Sequence, residues 1–276
     1  MNAINRAAEA VKNAQALIIG AGAGMGVDSG LPDFRGNEGF WQAYPPFAKL
    51  GLSFIDLANP AWFGKDPRLA WGFYGHRLNL YRATVPHQGF SILKKWGENT
   101  EKGAFIFTSN VDGQFQKAGF QEDQILECHG SIHHLQCTGH CSSCWPADGE
   151  IISVNEQTMR AERPLPTCHH CGKIARPNIL MFGDWGWDSE REMEQSRSFR
   201  QWLHDIQGLR VVLIECGAGS AVPTVRSTME RLTRQLDGQL IRINTREPEV
   251  PKGQIGISAG AAETLCQIDS LLLSSN

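Results

Sequence analysis

The chain has 276 residues, a formal net charge of −3, 41% hydrophobic residues and 20% charged residues. This balance is typical of a globular protein with a full core, and it excludes a strongly basic nucleic-acid binder and an acidic disordered chain. The sequence holds no apolar run near the roughly 18 residues that span a bilayer, and residues 1–14 lack the apolar segment of a signal peptide. We therefore expect a soluble cytoplasmic protein that binds neither nucleic acid nor a membrane.

Four short apolar segments predict buried parallel strands, at residues 17–19, 105–107, 211–214 and 240–243. The first three run into the segments GAGAGMG, TSNVDG and ECGAGS, and the fourth runs into Asn244. Short strands that alternate with helical patterns are typical of a doubly wound α/β sheet, in which ligands bind beyond the carboxyl ends of the strands. The glycine-rich and polar segments are therefore expected at one edge of a Rossmann-like sheet.

Six of the eight cysteines fall between positions 128 and 171. A secreted disulfide framework would normally accompany a signal sequence, so clustered cysteines in this chain favour a metal site. Residues 37–85, rich in Trp, Phe and Pro, and residues 131–176, which carry most of the cysteines, interrupt the α/β pattern. We predict one domain over residues 1–276, with a Rossmann-like core at about 1–36, 86–130 and 177–276. The two insertions, 37–85 and 131–176, form a smaller metal-binding and helical lobe.

The glycines that follow the first strand favour a phosphate-binding loop, because glycine lets the backbone approach a pyrophosphate closely. The alternative is a tight glycine turn without a ligand. An ordinary dehydrogenase carries an acidic residue about 20 residues further on, to hold the ribose hydroxyls. Here that region reads WQAYPPF. A dinucleotide would therefore be held differently from the way a dehydrogenase holds it.

The segment GAGMGVDSGLPDFRG at 22–36 closely resembles the signature of the sirtuins, the NAD-dependent protein lysine deacylases. Further matches follow in the family's order: TSNVDG at 108–113, the His129–Gly130 pair, a four-cysteine module, RPNILMFGD at 176–184, GAGS at 217–220, and Asn244. The chain is therefore similar to bacterial-type sirtuins over nearly its whole length. The resemblance implies NAD as co-substrate, an acyl-lysine protein as partner, and one structural Zn²⁺.

The resemblance also implies the catalytic groups. His129 would be the general base on the ribose hydroxyls, for which a neutral imidazole is suited near pH 7. Asn110 and Asp112 would orient the nicotinamide and its ribose. The cofactor-binding residues implied in addition to these two are Gly22, Ala23, Gly24, Asp33, Phe34, Arg35, Ser109, Gly217, Ala218, Gly219 and Asn244. For His133 and His134 we expect ordinary core positions.

For the metal, the resemblance implies four thiolate ligands, Cys137, Cys141, Cys168 and Cys171. This pairing leaves Cys144 free, and the alternative is that Cys141 and Cys144 form the upstream pair as a plain CxxC. In either case four thiolates fill a tetrahedral shell, so the zinc would be structural and not catalytic. The three remaining thiols are expected to be buried small residues: Cys128, Cys216 and Cys266.

Two segments bear on the substrate. The spacing of Tyr74 and Arg77 resembles the pair with which some sirtuins recognise succinyl and other acidic acyl groups, since an arginine binds a carboxylate well. The alternative is that these two residues are neighbours on one face of a helix. Ile179, Leu180 and Phe182 would supply a strand against which an extended peptide pairs.

Several positions depart from the family pattern: Gly26 replaces a serine, Ser109 a glutamine, Phe115 a histidine and Asp184 a glutamate. The sequence predicts a deacetylase, with desuccinylation left open, that forms nicotinamide, deacylated lysine and O-acyl-ADP-ribose. The alternatives are an ADP-ribosyltransferase or NAD glycohydrolase on the same fold and, from another class, a non-catalytic reader of NAD or acyl-lysine.

Overall fold

The computed structural model describes residues 2–33 and 36–274, with the side chains of 36–39 left out. Within them the strands are β1 (Ala16–Ala21), β2 (Ala104–Thr108), β3 (Ile125–Glu127), β4 (Gly130–Cys137), β5 (Trp145–Pro146), β6 (Val154–Asn155), β7 (Arg160–Ala161), β8 (Ala175–Ile179), β9 (Val211–Cys216), β10 (Gln239–Ile243) and β11 (Ile255–Ile257). The helices are α1 (Ala3–Lys12), α2 (Gly36–Ala43), α3 (Pro45–Lys49), α4 (Phe54–Leu57), α5 (Trp62–Lys65), α6 (Pro67–Ala83), α7 (Gln88–Glu98), α8 (Gln114–Lys117), α9 (Glu190–Asp205), α10 (Thr224–Gln235) and α11 (Ala261–Ser274).

A six-stranded parallel sheet has the order β11-β10-β9-β1-β2-β3. The strand order reverses beside β1, where Ile18 is in register with Phe105 of β2 on one side and Leu213 of β9 on the other. Every residue of these three strands is buried, as expected for a sheet that helices cover on both faces. The crevice beyond the carboxyl ends of β1 and its neighbours is therefore the place where such a fold binds ligands.

Apolar clusters cover the two faces of this sheet. One packs helices α1, α7 and α11 against the strands, with Leu93 and Leu265 at its centre. The other packs α9 and α10, through Phe199 and Met229. At Gly20, a Cβ atom would lie 2.7 Å from the Met229 side chain, so α10 can pack this closely only because β1 carries a glycine there.

The second lobe has its own core of aromatic side chains from α2 to α6, which pack against the small sheet β5-β4-β8. Helix α6 begins at Pro67, and the Asp66 carboxylate accepts a hydrogen bond from the amide of Leu69 at 3.2 Å, which caps it. The chain leaves the parallel sheet after β3, and β4, which begins directly after His129, pairs antiparallel with β8 in the small sheet. The predicted α/β sheet with a smaller helical lobe that holds the clustered cysteines is confirmed.

Among residues 2–33 and 36–274, no helix combines the length and the apolar character needed to cross a bilayer.

Candidate active site

The two glycine-rich loops predicted to bind the cofactor are in direct backbone contact. The amide of Gly22 donates to the Cys216 carbonyl, and that of Gly24 to the Gly217 carbonyl, each at 3.0 Å. Gly217 has a left-handed backbone (φ 64°), and a Cβ atom there would lie 2.3 Å from the Met25 nitrogen. Only glycine permits this approach, because any side chain would separate the loops. Bare backbone therefore forms the floor of the crevice at the ends of β1 and β9.

Asn110 is tied to the first glycine loop. Its side-chain nitrogen donates to the Gly22 carbonyl at 3.0 Å, and its backbone amide donates to the Thr108 hydroxyl at 3.0 Å. The neighbouring amide of Ser109 donates to the Ala21 carbonyl at 3.2 Å. Ser109 and Asn110 therefore hold the loop after β2 against the end of β1 and the start of the glycine loop.

His129 lies next to that loop. Burial lowers the pKa of the His129 imidazole below its ordinary 6.5, although a hydrogen bond with the Ser109 backbone partly opposes this. Gly130 has φ 76°, and a Cβ atom on it would lie 2.1 Å from the Asn178 carbonyl oxygen, so the residue after the histidine has to be glycine. The imidazole is neutral at pH 7, as a general base requires.

Asp112 is buried at the end of the same loop. Its carboxylate accepts a hydrogen bond from the amide of Gln114 at 3.0 Å. Burial raises the pKa of Asp112 to about 6, against the lowering effect of the Arg77 guanidinium. Its backbone carbonyl accepts a hydrogen bond from Nε2 of His133 at 3.0 Å. His133, which we expected only as a core residue, therefore supports the loop that carries Asp112.

Tyr74 and Arg77 lie one turn apart on α6, and both are buried. Nε and Nη2 of Arg77 donate to the hydroxyl of Tyr81, at 3.0 and 2.8 Å. The guanidinium also lies over the rings of Tyr74 and Tyr81, at 5.7 and 5.4 Å from their centroids. Sequence reasoning did not single out Tyr81, which an i,i+4 search around Arg77 would have found.

Asn244 follows β10 and binds the second glycine loop through its side chain, which donates to the Ala218 carbonyl at 2.8 Å. Its side-chain oxygen accepts from the amide of Arg246 at 3.0 Å. An Nη2 atom of Arg246 lies 3.7 Å from Oδ2 of Asp33, so the predicted cofactor residue Asp33 faces the loop after β10. Ala23 begins a short 3₁₀-helix, and Gly219 is half-buried beside Ala218. The predicted cofactor residues Phe34 and Arg35 lie outside the described residues.

A buried ion pair that sequence reasoning missed lies under this edge of the sheet. The Arg242 guanidinium contacts the Glu215 carboxylate at 2.5 and 2.9 Å and the Glu230 carboxylate at 2.9 Å. Glu215 and Arg242 are both fully buried. Each lies two residues before a predicted cofactor residue, Gly217 and Asn244. The sequence signal for this ion pair was a charged residue of opposite sign in each of two otherwise apolar strands.

The four predicted zinc ligands form one cluster, with sulfur atoms within 4.8 Å of one another. Sγ of Cys141 lies 3.5 Å from that of Cys137 and 3.4 Å from that of Cys168. Sulfurs around a tetrahedral zinc at about 2.3 Å would be roughly 3.8 Å apart, so the donor set fits this metal. Cys144 lies outside the cluster, and its amide donates to the Asp188 carboxylate at 2.8 Å. The geometry therefore favours Cys141 over the CxxC alternative.

The other three thiols differ in burial. Cys216 is buried as predicted, whereas Cys128 and Cys266 are partly exposed, and all eight cysteines are free.

The predicted peptide-pairing segment starts at Ile179, the last residue of β8, which is an edge strand of the small sheet. Ile179 is buried, whereas Leu180 and Phe182 are about 40% exposed (39% and 41%). The amide of Leu180 donates to the His129 carbonyl at 3.0 Å. The segment is therefore attached directly to the predicted base.

Comparisons with known proteins identify the family of the chain. A model of the Sir2 family matches residues 22–212. A protein of Archaeoglobus fulgidus named NAD-dependent protein deacylase 1 is 27% identical over 91% of both chains. The NAD-dependent protein deacylase of Thermococcus sibiricus is 30% identical over 95% of this chain and 93% of its own.

Solved structures share the fold. A mutant Sir2 homologue in complex with ADP-ribose superposes with a TM-score of 0.71 at 24% identity, over 98% of this chain and 96% of its own. A Sir2 homologue in complex with NAD gives a TM-score of 0.71 at 22% identity, over 98% and 94% of the two chains.

Proposed function

The chain belongs to the Sir2 family, and on that premise we propose that it is an NAD-dependent protein lysine deacylase with its active site where the loops after β1, β2, β3 and β9 meet. The products would be nicotinamide, the free lysine and O-acyl-ADP-ribose. One arrangement carries the proposal: the half-buried, neutral His129 is hydrogen-bonded to Ser109, next to Asn110, which is itself bonded to the glycine loop. A base thus lies beside a backbone cradle of the kind that holds phosphates.

NAD would supply an anomeric carbon, which the acyl oxygen attacks as nicotinamide leaves, and a ribose hydroxyl that then accepts the acyl group. The contact between Gly24 and Gly217 supports its binding, because these loops present backbone without side chains at the switch point of the sheet. Asn244 holds the Ala218 carbonyl and thus keeps the second loop in place. We assign the diphosphate to the two loops, and the second ribose to the side near Asn244 and Asp33.

His129 would take the proton from a ribose hydroxyl. Its pKa is lowered by burial, so the imidazole enters the reaction neutral at pH 7. The hydrogen bond with Ser109 fixes the ring, and the backbone bond to Leu180 joins the base to the peptide segment. Substrate lysine and base would therefore approach the ribose from the same side.

Asn110 and Asp112 would hold the nicotinamide carboxamide and its ribose. An amide and a carboxylate offer the donor and acceptors that a carboxamide needs. Asp112 has a pKa of about 6 and is therefore ionised at neutral pH, with Arg77 stabilising the charge. Through the charge of Arg77, α6 in the small lobe has an electrostatic effect on this loop.

The zinc would have a structural role, because four thiolates complete its shell and leave no position for water. Its ligands lie at the end of β4 and in the loop between residues 168 and 171, which precedes β8. The other ends of these strands, Gly130 of β4 and Ile179 of β8, pair with each other next to the proposed active site. The metal would therefore hold the sheet on which the peptide segment is built.

We also propose that acidic acyl groups are substrates. Arg77 carries a buried positive charge, beside tyrosine hydroxyls, on the side of α6 that faces Asp112. A carboxylate at the end of the acyl chain would be attracted to this guanidinium, whereas an acetyl group would not. Tyr74 and Arg77 are neighbours on one face of a helix, which already explains their spacing. The proposal that they bind an acidic acyl group therefore depends on the positive charge of Arg77.

The net charge of −3 is too small to attract peptides through a broad acidic surface, so it supports recognition of the peptide by local contacts. It also supports a protein that does not bind nucleic acid. Eight free cysteines support a reducing compartment, which in our proposal is the cytoplasm.

The decisive experiment incubates the protein with NAD and matched acetyl-lysine and succinyl-lysine peptides, and identifies the products by mass spectrometry. O-acyl-ADP-ribose and deacylated peptide are expected in equal amounts. ADP-ribose formed without peptide would indicate NAD hydrolysis, and ADP-ribosylated protein would indicate transferase activity; either as the main product would overturn the proposal. The His129→Ala variant should lose at least about 100-fold in kcat/KM, while His134→Ala serves as the matched control.

A further inference from the structure

Trp185 is the most exposed large apolar side chain among the described residues, with its whole surface in solvent. It lies in the turn after Asp184, immediately beyond the segment proposed to pair with the peptide. An indole in full contact with water adds nothing to the core, and large apolar side chains of this kind are enriched in binding sites. The surroundings of the turn indicate what the indole would bind.

The backbone on both sides of Trp185 is held by buried polar groups. The buried Asp184 carboxylate forms two bonds with the Arg176 guanidinium, at 2.8 and 2.9 Å, and accepts from the amide of Gly186 at 3.1 Å. The Gly186 carbonyl in turn accepts from Gln136 at 2.7 Å and from Arg176 at 3.1 Å. Trp185 is thus exposed on a turn whose flanking residues are both fixed, so little backbone entropy would be lost when the indole binds.

This turn lies close to the base. The Leu180 amide binds the His129 carbonyl at 3.0 Å, and the chain then turns at Gly183, which has φ 66°. The turn brings Asp184 back, so that its carboxylate lies 3.3 Å from the amide of Met181. Trp185 is therefore a neighbour of the exposed residues Leu180 and Phe182. In the proposed peptide position, a segment whose acyl-lysine reaches His129 would pass Leu180 and Phe182, and Trp185 follows Phe182 by three residues.

The charge beyond Trp185 indicates which side chain it would contact. The carboxylate of Asp188 accepts the amides of Cys144 and Glu190, at 2.8 and 3.1 Å, and α9 carries Glu190 and Glu192 in its first turn. The face of an indole attracts a cation. The three carboxylates follow Trp185 within seven residues, and Arg191, which lies among them, is paired with Glu122 and Glu127. A cationic side chain is therefore better matched to this surface than an anionic or a purely apolar one.

We propose that Trp185 selects protein substrates that carry an arginine or lysine close to the acyl-lysine, by stacking its indole on that cationic side chain. The inference rests on the proposed deacylase function and adds the class of protein segment that the site prefers. Trp185 is a specificity-determining residue in this proposal: it contacts the flanking sequence and takes no part in the chemical step.

The test measures steady-state deacylation of peptides that share one acyl-lysine and carry arginine, leucine or alanine at the neighbouring positions. For the wild type we expect a KM about 3- to 5-fold lower with flanking arginine than with alanine, as an exposed cation–π contact gives. Trp185→Ala should remove this difference and leave kcat and the KM for NAD unchanged. Trp185→Phe should retain part of it, and Trp185→Leu should show no preference for arginine over leucine.

The control is Ile151→Ala, which removes another highly exposed apolar side chain, 84% exposed, from a different surface. It should keep the full preference for arginine. A wild type without the preference, or a Trp185→Ala variant that retains it, would overturn the inference while leaving the deacylase function intact. If the wild type turned over none of the peptides, the proposed function would fail, and the inference with it.

Discussion

The two lobes of the molecule are stabilised in different ways. In the larger lobe, six parallel strands form a continuous hydrogen-bonded ladder between two apolar layers. In the smaller lobe the sheets have only two or three strands, and the core consists largely of packed rings, such as those of Phe40, Tyr44, Phe47 and Phe73. Short sheets leave few backbone bonds across the lobe, so side-chain contacts and the four thiolates have to replace them.

Buried charge also differs between the lobes. In the larger lobe Arg242 meets two carboxylates, in a contact that ties β9, β10 and α10 together. In the smaller lobe Arg77 is bonded to a tyrosine hydroxyl and affects Asp112 across the active site. The first arrangement pairs charge within the fold, whereas in our proposal the second holds a charge for the substrate. The comparison predicts that the small lobe is sensitive to metal and substrate, and the large lobe to loss of an ion-pair partner.

The largest effect is expected on removing the metal. A chelator, or the Cys171→Ser variant, should abolish deacylation, because structural zinc supplies a large share of the stability of a lobe with short sheets. Hydrogen exchange should rise in residues 131–176 and stay low in β1 and β9. Cys144→Ser is the control and should keep both zinc and activity. Equal loss of protection in both lobes would break the comparison.

The next effect concerns the large lobe. Arg242→Met leaves Glu215 buried without its main partner and should lower the free energy of unfolding by about 3–5 kcal/mol. The matched variant in the small lobe, Arg160→Met, removes a partly exposed ion pair with Asp66 and should cost only about 0–1 kcal/mol. Denaturant unfolding measures both. The double variant Glu215→Leu/Arg242→Met should recover most of the loss, and failure to recover it would contradict a simple ion-pair role.

Asp112→Asn should separate stability from activity. The folded-state pKa of Asp112 is raised to about 6 from 3.8, so the native state binds more protons than the unfolded state between these values. Its ionisation therefore lowers stability as the pH rises through that window. The variant should resemble the wild type below about pH 4 and be more stable by up to about 3 kcal/mol near pH 7.

The same Asp112→Asn variant should lose most of its activity, and its residual activity should lack the acidic limb that we expect for the wild type near pH 6. Melting temperatures and kcat/KM across the pH range measure the two effects. A variant that is less stable at neutral pH would show that the Asp112 carboxylate supports the fold.

The smallest effect concerns acyl selectivity. Arg77→Met should lower kcat/KM for succinyl-lysine relative to acetyl-lysine by about 10-fold, since an attraction of roughly 1.4 kcal/mol is lost. Tyr81→Phe removes the hydroxyl that accepts two bonds from Arg77 and should change the ratio less. Parallel assays of both peptides provide the measurement. If Arg77→Met left the ratio of kcat/KM for succinyl-lysine and acetyl-lysine unchanged, Arg77 would have no role in acyl recognition.

Much of the fold and of the candidate site could be predicted from the sequence. Strands such as 211–214 are apolar throughout and end at glycine, and parallel strands bring their carboxyl ends to one edge. Gly22, Asn110 and Asn244 were therefore expected at one edge of the sheet, whereas His129 was expected only from the family resemblance, and Asn110 indeed donates to the Gly22 carbonyl. Their functional roles remain proposals.

Other features depend on atoms that are distant in sequence and were decided only by the tertiary structure. Local spacing allowed either Cys141 or Cys144 to join the metal cluster, and the position of the loop at 168–171 selects Cys141. The pairing of Glu215 with Arg242 requires adjacent strands in register. The composition predicted a globular chain with clustered cysteines, whereas the full exposure of Trp185 could be recognised only in the structure, where no described residue covers its side chain. Sequence patterns report local conformation and burial on average, but contacts between distant segments are set by how those segments pack.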